Sequence, residues 1–374
     1  MRKLFGKIHR WISIPLGIIL SVICFSGATL VFEKEITQRL NPSIYKVKVP
    51  EGEATPLPPS ELVARLQTQV ADSLRLSALQ YGGAADEPVM VTFQNTGKKN
   101  LSVNPYTGEV NGWTPSYPFF QTMRKLHRWL LNPPAQKGAY SVGKIVVGIS
   151  TLLMVVILVS GLIIWWPRTR KALHNRLQVS CTKGWRRFWY DSHVALGFYS
   201  TLFLLVMALT GLTWSFGWYR SLAYGLFGAT ASPSAASHPH AAPQEAHGTR
   251  AKGKGKAHID YKVWDKAFQK VQAQYPGYAS LRIEKNKIQV NQSHYLRRTD
   301  TVEFNPANGE PTRIIPSAET PRSQKLRSWF YAFHTGSWGG IYTKTLYFLA
   351  TLIGGVLPLS GYYLWWKKRR KSTR

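Results

Sequence analysis

This chain has little cysteine and little acid: two cysteines and 18 acidic residues in 374 positions. Cys24 lies in an apolar run and Cys181 in a basic one, and the long polar stretches have none. That excludes a disulfide framework and a cysteine-built zinc site. No strand-like segment leads into a GxGxxG turn, so the chain carries no dinucleotide fingerprint for a nicotinamide or flavin cofactor. The 18 acids face 48 lysines and arginines, a formal net charge of +30. An even spread of that surplus would point to nucleic acid, but it is segregated.

Charge is almost absent from residues 11–32, 145–166, 193–216 and 346–366. Each run is close to the about 20 residues that cross a hydrocarbon core as a helix. Trp11, Trp165, Trp166, Trp214, Trp365 and Trp366 mark their ends, as interfacial rings do. Three acid-poor basic segments alternate with two long regions that hold nearly all the acids. Arg2, Lys3, Lys7 and Arg10 form the first. Arg168 to Arg187 form the second, with Asp191 its only neighbouring acid, and Lys367 to Arg374 the third. By the positive-inside rule the N-terminus, the middle loop and the C-terminus are expected in the cytoplasm. Residues 33–141 and 217–340 are then expected on the far side. Those regions are still mildly basic, which favours either an anionic ligand or anionic lipid. The first apolar run is long for a cleaved signal peptide and has a counterpart later in the chain, so it reads as a retained helix.

The two halves repeat each other. Ser160-Gly161-Leu162-Ile163-Ile164-Trp165-Trp166 matches Ser360-Gly361-Tyr362-Tyr363-Leu364-Trp365-Trp366, and Lys144 and Lys344 each stand 17 residues before the glycine. His9 precedes Gly27 by 18 residues, as His193 precedes Gly211. Asn104-Pro105-Tyr106-Thr107-Gly108-Glu109 matches Asn305-Pro306-Ala307-Asn308-Gly309-Glu310. Each of these NPxxGE segments reads as a turn between strands, with glycine supplying a positive φ. Residues 88–94 and 101–103 read as strands after a helix over 60–74. In the second half a helix over 261–274 precedes strands near 281–283, 287–290 and 301–304. Residues 229–258, rich in Ala, Ser, Pro, Gly and Lys, read as a flexible linker whose histidines are not ligands.

Four histidines, His9, His127, His193 and His334, each precede one apolar run, and His9-Arg10-Trp11 and His127-Arg128-Trp129 share a tripeptide. One such histidine is an interfacial anchor; four in repeated positions predict ligation. Successive spans alternate in direction, so His9 and His193 meet at one membrane face and His127 and His334 at the other. Two imidazoles per face can supply the two axial ligands of one haem iron on each side, as cofactor sites in bundles are built from side chains on facing helices. Structural zinc fits less well, since no Cys or acid cluster completes four ligands. Pro133-Pro134 and Gly339-Gly340 separate the outer histidines from their spans, which puts those two on short interfacial segments. At 3.6 residues per turn Gly27 shares a helix face with His9, about 27 Å away near the opposite membrane face. There it either makes room for the second haem or serves ordinary close helix packing.

With its His-Arg-Trp and Trp189-Tyr190-Asp191-Ser192-His193 approaches, its SGxxxWW exits and its two NPxxGE hairpins, the sequence resembles the PepSY-associated transmembrane family of bacterial iron-regulated inner-membrane proteins. The resemblance implies a membrane four-helix bundle carrying two small α+β, PepSY-like periplasmic domains, as an internal duplication. The expected segments are a first span within 1–32, domain one over 33–141, a second span over 142–166 and a basic loop over 167–192. A third span over 193–216, domain two over 217–340, a fourth span over 341–366 and a basic tail over 367–374 follow. The implied activity is that of a haem-b oxidoreductase with two haems, held by His9 with His193 and by His127 with His334. It reduces a periplasmic ferric complex, a ferric siderophore among them, for iron uptake. Quinol or a cytoplasmic reductase is the donor, lipid is the surrounding partner, and nucleic acid is not one. The alternative is a non-enzymatic, membrane-anchored module that binds a peptide or peptidase. A transporter would show broken or charged helices in mid-membrane.

Overall fold

The computed structural model describes residues 1–52, 55–94, 96–97, 99–136, 139–230, 260–293 and 298–372, with side chains to residue 369. The linker expected over 229–258 therefore lies almost wholly outside the described residues. In chain order, α1 (Arg2–Val31), α2 (Glu33–Leu40), α3 (Pro42–Tyr45) and α4 (Pro59–Gln67) come first. The meander β1 (Leu76–Gly82), β2 (Val89–Phe93), β3 (Asn100–Val103) and β4 (Val110–Trp113) leads to α5 (Pro118–Trp129) and α6 (Val142–Trp165). The second half runs α7 (Arg170–Leu177), α8 (Trp185–Ser215), α9 (Gly217–Leu226) and α10 (Tyr261–Gln274). It continues with β5 (Ser280–Glu284), β6 (Lys287–Asn291), β7 (Thr299–Phe304), β8 (Pro311–Ile315), α11 (Arg322–Thr335) and α12 (Gly340–Ser372). The chain divides into a helical unit, residues 1–33, 117–230 and 322–372, and a sheet unit, residues 34–116 and 260–321.

Four helices of the first unit are long and apolar enough to cross a membrane: Arg2–Val31, Val142–Trp165, Trp185–Ser215 and Ser337–Arg369. This is a membrane protein. α1 packs on α6 and α12, and α8 packs on the same two, so α1 and α8 face each other across a diagonal. Apolar side chains such as Ile18, Val159 and Leu202 are exposed, while Ser21, Ser26, Ser150, Ser160, Ser200, Thr210 and Ser360 are buried. Small residues inside and hydrocarbon outside is the pattern of helices packed in lipid, where close backbone approach replaces a hydrophobic driving force. The α1–α12 seam shows the device: Tyr362 lies against Gly17 and donates to Ile14 O at 2.5 Å, while Ser21 Oγ donates to Gly355 O at 2.8 Å.

The sheet unit departs from the expectation of two separate small domains. Its eight strands form one antiparallel sheet in the order β4-β3-β2-β1-β5-β6-β7-β8. β1 and β5 join the halves, pairing Ala78 with Glu284 through Gly82 with Ser280. α4 and α10 pack together, and a single core holds Leu62, Leu66, Leu79 and Val91 with Trp264, Phe268, Ile283 and Val290. The physical reason is size and edges. One helix on one four-stranded meander buries too little apolar surface, and β1 or β5 alone would be an unpaired inner edge. Both NPxxGE turns fold as expected, with Gly108 at φ 76 and Gly309 at φ 75. The N–H of Asn104 donates to Glu109 O at 2.8 Å and that of Asn305 to Glu310 O at 2.9 Å.

Gly83 closes the joint between the half-sheets: its N–H donates to Ala279 O at 3.1 Å, and a Cβ there would stand 2.1 Å from Tyr278 O. Because the obstacle is backbone, Gly83→Ala is expected to cost the sheet unit about 1–3 kcal/mol. Limited proteolysis of the membrane-inserted protein checks this; an unchanged cleavage rate would refute it.

Candidate cofactor site

Each of the four histidines lies at an end of a helix that leans on a neighbouring span. His9 is in the third turn of the extended α1, and His193 in the third turn of α8. His127 and His334 are in the last turns of α5 and α11, short helices that the sequence reading reduces to interfacial segments. α5 packs on α1 and α6, and α11 on α8. The chain turns sharply after His127, with Leu130 at φ 46 and Leu131 at φ 64, a left-handed pair that bulky residues seldom adopt. Ser141 holds the return by donating to Asn132 O at 2.6 Å and capping α6 through the Lys144 N–H at 3.1 Å. After His334 the corresponding turn uses Gly336 at φ 70, whose carbonyl accepts from Thr343 Oγ1.

The imidazoles share one mode of attachment. His9 Nδ1 donates to Ile157 O at 3.0 Å, His127 Nδ1 to Ile23 O at 2.8 Å, and His334 Nδ1 to Met207 O at 2.9 Å. His193 Nδ1 meets Ser360 Oγ at 2.8 Å, and that hydroxyl's own proton goes to Leu357 O at 2.8 Å, so it accepts from the ring. A carbonyl only accepts, so Nδ1 carries the proton and Nε2 keeps its lone pair. The Nε2 atoms make no hydrogen bond among the described residues. Fixing one ring nitrogen to free the other is how proteins present imidazole to a metal.

The seats explain the four hydroxyl–glycine pairs. A Cβ on Gly27 would lie 2.9 Å from His127 Cε1, one on Gly211 3.1 Å from His334 Cε1, one on Gly161 3.3 Å from His9 Cε1, and one on Gly361 3.7 Å from His193 Cε1. The space at each glycine is therefore taken by the imidazole of another helix, which neither sequence-based reading of Gly27 anticipates. The accepting residues, Ile23, Ile157 and Met207, and Leu357 behind Ser360, each stand four places before the seat glycine. The preceding Ser26, Ser160, Thr210 or Ser360 turns its hydroxyl onto the same stretch of backbone.

The attachments bring the histidines together in two pairs across the diagonal of the bundle. The rings of His9 and His193 are 6.4 Å apart between centroids, and those of His127 and His334 are 6.2 Å apart. Trp214 stands edge-on to His334 at 5.3 Å. His127 and His334 lie outside the four spans, and burial holds both imidazoles below their ordinary pKa. His334 falls to about 4 with the further help of His127, so both are neutral at physiological pH.

Beside the His127 pair lies a surplus of positive charge. The Arg128 guanidinium, pulled down to about 10 by burial and then by Arg124, feels both imidazoles. Lys144 is within electrostatic range of Arg128 and Arg220, and the buried Nε of Arg220 has no hydrogen-bond partner. Glu33 is engaged by Arg124. Only the repetition of Lys144 and Lys344 hinted at a role for these cations in the sequence.

A multi-span membrane protein with an antiparallel sheet unit and two cross-bundle imidazole pairs is the class these features define. The chain belongs to the PepSY-associated transmembrane family: it matches the PepSY-associated TM region over residues 7–368, a span that includes all four histidines and the whole sheet. Among curated proteins, none matches it in sequence.

Proposed function

We propose that the chain is an inner-membrane haem-b oxidoreductase, built as two copies of one unit, that delivers electrons to a ferric complex, a ferric siderophore being the leading candidate, on the periplasmic side. The observation that carries this reading is the pair of facing imidazoles at each end of the bundle. Two metal–nitrogen bonds of about 2 Å, each continued by about 1 Å to its ring centre, set centroids roughly 6 Å apart, which the 6.2 and 6.4 Å separations match. No cluster of three or more His, Cys, Asp or Glu that could hold a metal occurs among the described residues. Two donors alone suit a metal that brings its own equatorial ligands, as haem does.

In this reading His9 and His193 hold one iron, and His127 and His334 the other. Carbonyls of the neighbouring spans, and for His193 the Ser360 hydroxyl, keep each Nδ1 protonated and leave each Nε2 free to bind a metal. Arg128, Lys144 and Arg220 favour carboxylates, such as the propionates of the cofactor, at the His127 end. A bis-imidazole haem supplies one-electron exchange between ferric and ferrous iron, which reduction of a ferric complex requires. Quinol or a cytoplasmic reductase is the donor, since the chain has no dinucleotide fingerprint. Purification from membranes tests the proposal. A Soret band, about two haems per chain and reoxidation of the reduced protein by a ferric chelate are expected; a colourless protein would sink it. In that case the open edges of the sheet favour the other reading, a peptide-binding module. Thr312, Arg313 and Ile314 of the edge strand β8 are exposed and available to a further strand.

The proposed orientation puts both termini and the loop between α6 and α8 in the cytoplasm. Reporter fusions truncated after Lys171 or placed at the C-terminus should report cytoplasm, and one near Gly97 should report periplasm. A single inverted result would overturn this orientation.

A further inference from the structure

At the end of the bundle opposite the His127 pair, the first turns of α8 and the last turns of α12 flank an open cleft of about 590 Å³. It is lined by Lys183, Arg186, Arg187, Tyr190, Leu364 and Lys368. Arg187 is already committed, its Nε donating at 2.7 Å to the buried Asp191. Lys183, Arg186 and Lys368 have no ion pair among the described residues. α8 starts here too, with Gly184 as an N-cap that makes no side-chain hydrogen bond. Three cations without an ion pair among the described residues thus line one cleft beside the start of a 31-residue helix.

The chemistry of the wall limits what anion fits. Leu364 and the Tyr190 ring are apolar, and Trp185, at the start of α8, and Trp366, near the end of α12, stand exposed at the same end of the bundle, as rings do in a headgroup zone. A ligand that satisfies both parts is amphiphilic: phosphate against the cations, acyl chain along Leu364. A zwitterionic headgroup would set its own ammonium among Lys183, Arg186 and Lys368, and a single phosphate would leave most of that charge unbalanced. We infer that this cleft is a binding site for an anionic lipid carrying two phosphates. Basic pockets between spans take such headgroups by the same combination of charge and apolar contact. The site lies one helical turn from His193, so the lipid would border that imidazole pair.

Native mass spectrometry of the full-length protein in detergent tests this, with diphosphatidylglycerol titrated against phosphatidylethanolamine. The two-phosphate lipid is expected to bind at least about tenfold more tightly. The variant K183Q/R186Q/K368Q should lose about tenfold or more of that affinity. R168Q/R170Q/K171Q removes the same charge from exposed positions outside the cleft and should change it by less than about twofold. The charge-conserving K183R/K368R should keep binding, which separates loss of charge from loss of fold. Equal loss in the two glutamine variants, equal binding of both lipids or failure of K183R/K368R would each overturn the inference. Displacement of the lipid by inorganic pyrophosphate at comparable concentration would overturn it in favour of a soluble phosphate. None of these outcomes depends on whether haem is bound.

Discussion

His9→Ala and His193→Ala are each expected to remove the same haem, lowering the content from about two per chain to about one while the other haem keeps its spectrum. The expectation follows from the bundle. The two rings lie 6.4 Å apart across the α1–α8 diagonal, each held from behind by a different span. Removing either would leave the proposed iron with one protein ligand, and the double variant should lose little more than either single one if both side chains act on one metal. His127→Ala and His334→Ala should behave as the second pair and should also abolish reduction of an external ferric chelate. Haem quantitation with redox titration on the four single and two double variants decides between outcomes. Loss of one and the same haem in His9→Ala and His127→Ala would show that the pairing is wrong. Full haem in all six would mean that these imidazoles serve only to lock helices together.

The spans were legible because each is a long apolar run between tryptophans and cations, a pattern that composition alone dictates. The helices extend beyond those runs. α1 begins at Arg2 and α8 at Trp185, since polar turns outside the hydrocarbon still satisfy their backbone within the helix. α10 was legible to the residue, its Asp260 capping the Lys262 N–H at 3.0 Å ahead of an amphipathic run. The joining of the sheet was not. β1 holds the run Leu76–Gly82, which shows no clean alternation because Ala78 and Leu79 are both buried, one on each face. β1 pairs with its sequence neighbour β2 on one edge and with β5, from the far half of the chain, on the other, and a central strand buried on both faces leaves no period to read. The His positions and their pairing came from repetition and helix direction. Their seats did not, because a glycine gives no sign of which side chain fills the space it leaves.

Those seats support a graded result. Alanine at Gly27 is expected to weaken haem binding at the His127 pair roughly ten- to hundredfold, from about 1–3 kcal/mol of overpacking. Alanine at Gly361 should change binding at the His9 pair by less than about twofold. The order follows the space: a Cβ would stand 2.9 Å from the imidazole at Gly27, 3.1 Å at Gly211, 3.3 Å at Gly161 and 3.7 Å at Gly361. Only the last is an ordinary van der Waals contact. Retreat of the His127 ring is blocked, because its Nδ1 proton is committed to Ile23 O at 2.8 Å on the same helix as the intruding methyl. Moving away breaks that bond and re-aims Nε2; staying forces α5 off α1. Gly211→Ala and Gly161→Ala should fall between the extremes, the first acting on the His127 pair and the second on the His9 pair. Haem retention through detergent exchange, read separately for the two haems by their potentials, gives the ranking. An effect of Gly361→Ala as large as that of Gly27→Ala, or loss at the His9 pair in the Gly27 variant, would refute the seat as the element that aims the ligand.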